Sequence, residues 1–309
     1  LLRDERLLGN LYIQFIWVIQ MSNKDALLLN FEQSSKVCLR QQSLSNTRAW
    51  AQYQNENERL SYTNKQRHTL SMYLQGGFET FRIDRPKHFG SPGSFCLMPK
   101  DSESRWQLGA EQQFVHLYFD DDYLKQLALK TFDIDPRCLQ LPDLSYFKNA
   151  ALEASFRHQI ASSDWSAGCN HLLLEQITNT ILVAMIHDLG VAKFKGNVQG
   201  GLAPRVLLRI CEYMHCYSYR QIFLAELAEL AALSEYHFCR MFKQSTAQTP
   251  QQYLSMIRID RVKNMCSSSP LSLTEISLDC GFSNQSHMGR TFKKLVGVSP
   301  REYRKNLPA

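Results

Sequence analysis

Between Glu235 and the C-terminus, apolar positions recur at helical spacing. Phe238 and Phe242 lie four apart, and Met288, Phe292 and Leu295 fall at i, i+4 and i+7, so each set makes one face of a helix. The opposite stripes carry Tyr236, Cys239, Arg240 and Lys243 in the first segment and Gln285, Ser286, Gly289, Arg290 and Lys293 in the second. The two segments are copies. Arg240-x-Phe242-Lys243 with Pro250 and Tyr253 returns fifty residues later as Arg290-x-Phe292-Lys293 with Pro300 and Tyr303. Upstream, Glu226-Leu227-Ala228 matches Glu275-Ile276-Ser277 at a spacing one shorter. A unit of about 40 residues is therefore present twice.

Each unit reads as helix, tight turn, helix. Ser272-x-x-Glu275 forms a capping box that starts one helix. Gly281 permits the left-handed backbone that ends it, and Ser283 or Asn284 caps the next. Pro250 and Pro300 each open a further helix, at the position where a missing N–H costs nothing.

The pattern differs upstream. Short runs punctuated by Gly and Pro predict strands at 68–74, 78–84, 93–98, 104–108 and 114–119. Gly76-Gly77 reads as a hairpin turn between the first two. Many short strands joined in this way suggest a barrel or sandwich. After Asp121 the periodicity turns helical. From Cys169 to Leu189 the apolar residues wrap more than one face, which predicts either a core helix of one subunit or a helix serving both its own core and a second subunit. On the second reading, Ile181→Glu with Met185→Glu should leave a folded monomer. Residues 190–203 hold little periodicity and several glycines, and read as a linker. The apolar run 11–19 is shorter than the 20 or so residues of a membrane span, and neither its acidic lead-in nor its sequel suits a signal peptide. Residues 1–20 are expected to be an upstream extension, with Met21 the ordinary start. The domains expected are thus 21–189, a linker, and 204–309.

Charge sharpens the picture. The formal net charge of the 309 residues is +6. From Leu202 onward there are 14 Lys and Arg against 8 Asp and Glu, whereas the preceding part balances 21 with 21. The basic excess lies entirely in the C-terminal third, as expected of a domain that meets a polyanion. The nine cysteines form no Cys-x-x-Cys pair, and Cys211 and Cys216 lack partners at zinc-site spacing, so free thiols in a reducing cytosol are expected. No His-x-His occurs, and His68, His88 and His116 stand apart, which argues against a metalloenzyme. No catalytic residue, cofactor or metal is assigned, and the chain is not read as an enzyme.

The outward stripes have the chemistry of a major-groove reader. Arg bonds guanine bidentately and Gln does the same to adenine, while Lys meets phosphate. The residues expected to contact DNA are Tyr236, Cys239, Arg240 and Lys243 in the first copy and Gln285, Ser286, His287, Arg290 and Lys293 in the second. From about Ile222 to Tyr303, a third of the chain, the sequence resembles the DNA-binding domain of the AraC/XylS family of bacterial transcriptional regulators. The second copy carries the resemblance: Leu273-x-Glu275-Ile276, Gly281-Phe282, Arg290-x-Phe292-Lys293-Lys294, Gly297-x-Ser299-Pro300 and Tyr303-Arg304. Three positions depart from that pattern: Ala247 for a glycine, Ser277 for an alanine and Met288 for an aromatic residue.

The resemblance implies an α+β chain. Its N-terminal part would be a cupin-like β-barrel with following helices, and its C-terminal part an all-α domain of two helix-turn-helix units joined by one long helix, about Pro250 to Cys266. It also implies a cytoplasmic activator-type regulator that senses a small-molecule effector; a second reading has the N-terminal domain only dimerise or bind a protein. Arg82, His88, Arg105 and His116 are the candidates for a pocket taking a small anion. Double-stranded DNA, the effector, a second copy of the chain and RNA polymerase are the expected partners, with no membrane.

Overall fold

The computed structural model describes residues 36–45, 47–65, 67–165, 170–189 and 199–306. The expected upstream extension and most of the expected linker lie outside these residues. By internal contacts the described chain forms two compact units. One comprises Arg209–Arg240 with the residues from Gln248 on, and the other the residues up to Leu208 with Met241–Ala247.

The N-terminal unit is built on two antiparallel sheets. The larger orders β1 (Val37–Ser45), β2 (Arg48–Asn55), β8 (Gln112–Phe119), β4 (His68–Gln75), β6 (Phe95–Met98) and β9 (Leu144–Phe147) edge to edge. The smaller orders β3 (Arg59–Thr63), β7 (Glu103–Gln107) and β5 (Phe81–Arg82). The alternation of side chains decides what each face meets. Leu70, Met72, Val115, Leu117 and Phe119 point from the larger sheet into a core shared with α1 (Asp121–Phe132), α2 (Ala150–Ser155) with its continuation Phe156–Ala161, and α3 (Asn170–Asp188). Tyr73, Cys96 and Met98 point the other way and meet Tyr62 and Trp106 of the smaller sheet. The larger sheet is thus covered on both sides. Trp50 Nε1 donates to Thr178 Oγ1 at 2.8 Å and pins α3 to β2.

Two expectations need correction here. Gly76 and Gly77 (φ +67° and +86°) do not close a hairpin, because β4 pairs with β6 and β8 while β5 pairs with β7. They carry the chain from one sheet to the other. A Cβ on Gly76 would come within 2.3 Å of the Glu111 carbonyl oxygen, so only glycine fits. Along α3, Ile181 and Met185 are fully buried in the subunit's own core. A Glu there would unfold the unit rather than release a partner. The exposed apolar residues of this helix are Leu172 (66%) and Leu173 (48%), near its start.

The C-terminal part is helical: α4 (Pro204–Tyr217), α5 (Leu224–Leu230), α6 (Glu235–Thr246), α7 (Pro250–Ser268), α8 (Leu273–Asp279), α9 (Gln285–Val296) and α10 (Pro300–Lys305). The caps are those the local sequence dictates. Ser272 Oγ accepts from Glu275 N while Glu275 accepts from Ser272 N at 2.8 Å. Thr249–Gln252 and Ser299–Glu302 form equivalent boxes, each followed at once by its proline. Asn284, not Ser283, caps α9. Around α7, Ile259, Val262 and Cys266 pack against Ile276, Phe282, Met288 and Phe292. Leu295 does not join this core: it is 48% exposed, and Val296, a full two turns beyond Met288, packs there instead. No helix among the described residues is long and apolar enough to cross a membrane.

Candidate nucleic-acid interface

The two copies present matching surfaces. On α6, Phe238 and Phe242 are fully buried, and on α9 so are Met288 and Phe292. Burying these rings turns the opposite stripe to solvent. Tyr236 (80% exposed), Arg240 and Lys243 lie open on α6, and Gln285, Ser286, Arg290, Lys293 and Lys294 on α9. Thr274 Oγ1 of α8 donates to Gln285 Oε1 at 2.7 Å, which holds that amide at the start of the helix. Gly289 has open space where a Cβ would stand, so backbone can approach a ligand closely beside Arg290. His287 is half-buried with its ring edge-on to Phe282, and its N–H donates to the Asn284 cap at 2.8 Å.

Cys239 departs from the expected outward stripe. It is half-buried and lines an apolar cavity of about 180 Å³ with Met214, Leu227 and Leu254. One residue of this kind was missed. His237 is exposed on α6, fifty positions before His287, and the repeat spacing itself was the signal.

The four residues proposed for an anion pocket are not gathered. Arg82 is buried and committed to carboxylates, with Nη1 2.5 Å from Asp143 Oδ1 and Nη2 3.1 Å from Asp84 Oδ2. His88 and Arg105 are exposed. Only His116 lines the cavity between the two sheets. That cavity is about 50 Å³, walled by Tyr62, Tyr73, Trp106 and Phe114, with Ser71, Asn55 and Gln112 as its other polar groups. Burial, with Lys36 nearby, pushes the His116 pKa well below 6.5, so the ring is neutral at pH 7. Its Nδ1 lies 2.8 Å from the Tyr118 hydroxyl. Among the described residues the lining holds no charged side chain, although the amine of Lys36 lies 5.8 Å from the ring of Phe114 in its wall.

A family described as a helix-turn-helix domain matches residues 227–306. An uncharacterized HTH-type transcriptional regulator of Staphylococcus aureus (strain MRSA252) is 26% identical over 206 residues, which take in 66% of this chain and 27% of that regulator. The matched region thus spans only about a quarter of the length of such relatives. The probable transcriptional regulator LumQ of Photobacterium leiognathi is 27% identical over 173 residues, 54% of this chain and 68% of LumQ. Among solved structures, the DNA-binding domain of AdpA, a global transcriptional factor in complex with a target DNA, is 26% identical. It covers 32% of this chain and 89% of its own, with a TM-score of 0.31.

Proposed function

The C-terminal domain of this chain belongs to the AraC type of helix-turn-helix domain, and on that premise we propose that the protein is a sequence-specific DNA-binding regulator of transcription. Helices α6 and α9 enter successive major-groove segments on one side of the duplex. The observation that carries this is the matched pair of stripes: Arg240 and Lys243, then Arg290 and Lys293, each exposed opposite two fully buried apolar side chains. An arginine so placed reaches a base edge, most often guanine, and a bidentate pair discriminates by about 1–3 kcal/mol. The lysines and the capped helix starts meet phosphates.

In this reading the N-terminal unit, a cupin-like barrel of two sheets, is the sensor, and residues 204–309 are the DNA-binding domain. The neutral, ring-walled cavity at His116 supports a small uncharged effector. The exposed Leu172 and Leu173 support a homodimer contact at α3.

Selection of binding sites from a random DNA pool tests the central claim. Arg240→Ala should relax base preference in one half of the site and Arg290→Ala in the other. The losses should add, since the helices would lie about 34 Å apart on successive groove turns. If either variant keeps the parent's preferences at every position, that arginine is not a reader.

A further inference from the structure

We propose that Arg258 is a positioning residue that sets the distance and angle between the two recognition helices, so that DNA is read as one site of fixed spacing. The proposal rests on both α6 and α9 being base readers. Arg258 lies midway along α7, yet only 7% of it is exposed, a rare state for a cation. Its Nε donates to the Ser218 carbonyl oxygen at 2.9 Å, and its Nη2 to that of Arg220 at 2.7 Å. Both carbonyls belong to the loop between α4 and α5, which leads into the first helix-turn-helix unit. The same guanidinium lies 5.9 Å from the ring of Phe282, in the turn of the second unit.

Gly281, in that turn, shows how close the two units come. A Cβ there would stand 2.4 Å from the Ser218 carbonyl oxygen and 3.0 Å from Arg258 Nε. The turn of the second unit therefore abuts the loop of the first, with the guanidinium fork against both. The path continues on the far side. Arg220 Nη2 lies 2.7 Å from Glu226 Oε2, and Glu226 Oε1 accepts from the Phe223 N–H at the start of α5. Hydrogen bonds run from the start of α5 to Arg258, whose guanidinium then faces the Phe282 ring in the turn between α8 and α9. A planar fork holds two carbonyls at fixed directions, which a lysine ammonium does not. Without it, only α7 and the close packing of Gly281 on the Ser218 carbonyl would join the units. A looser link lowers the effective concentration of the second reader once the first is bound.

The test uses the full chain and a duplex selected from a random pool by the unaltered protein. Companion duplexes have one half scrambled, or one or two extra base pairs between the halves. For Arg258→Lys and Arg258→Gln, affinity for the intact site should fall about tenfold, while affinity for the one-half duplex should change by less than about twofold. The penalty for an inserted base pair should also shrink. An equal loss on intact and one-half duplexes, or an unaltered spacing profile, would overturn the proposal. If the unaltered protein protects only one half, the reading of two base-reading helices fails, and the proposal falls with it.

Discussion

Ala232 and Ala247 hold left-handed backbone, with φ of +53° and +60°. Their counterparts in the second copy are Gly281 and Gly297, at +78° and +90°. The same two bends are therefore made in both copies, but the first makes them with a residue whose Cβ crowds its own carbonyl. Ala247→Gly should raise stability by about 0.5–1 kcal/mol, the strain relieved less the entropy that glycine adds to the unfolded chain. Urea denaturation would read this as a higher midpoint at unaltered slope, and a lower midpoint would refute it. Other residues were misread from sequence because charge does not announce its partner. Arg82 looks like a ligand group on a strand, but Asp143, which claims it, is 61 residues away. Ser277 shows the opposite case: its burial beside Ile276 is tolerated because its hydroxyl donates to the Thr274 carbonyl at 2.7 Å.

Among the elements, the helices of the repeat were legible, and several strands were not. Helix starts are written locally, by a cap and a box within four residues. Strand β2 is not legible in the sequence because Arg-Ala-Trp-Ala-Gln-Tyr-Gln-Asn looks polar although most of it is buried. Its polar ends are met by groups distant in sequence: Arg48 Nη2 by Glu175 at 3.2 Å, and Asn55 Oδ1 by the Gln112 amide at 2.9 Å. Helix α3 was found, but not which of its faces is free. That face now predicts assembly differently. Leu172→Glu with Leu173→Glu should leave the fold intact and shift sedimentation from dimer to monomer. Met185→Ala should instead cost about 2–5 kcal/mol, as deletion of a core side chain does. A double variant that still sediments as a dimer would place the contact elsewhere.

For the whole molecule, on the proposed function, the excess of +6 borne by the region from Leu202 on governs the response to salt. Binding should weaken steeply with salt, as each neutralised phosphate releases counterions. Lys243→Gln or Lys293→Gln should weaken binding to all sequences and flatten the slope of log K against log salt by about 1. Titration of one duplex over a range of salt checks this, and a slope unchanged in both variants would remove the lysines from the phosphate contacts.

The repeat, its capping boxes, the buried pairs Phe238–Phe242 and Met288–Phe292 and the location of the positive charge were determined by the sequence, whereas the choice of Val296 over Leu295 was not. Each of the former is encoded within a few residues or in a sum over them. Only the tertiary structure decided that the two sheets enclose a neutral cavity with His116 but without Arg82, His88 or Arg105, and that Ile181 and Met185 face inward. It also brought Arg258 to a loop some 40 residues distant in the chain. These outcomes depend on which strands pair and which loops meet, and such contacts are chosen by the packing of the whole chain rather than by any segment of it.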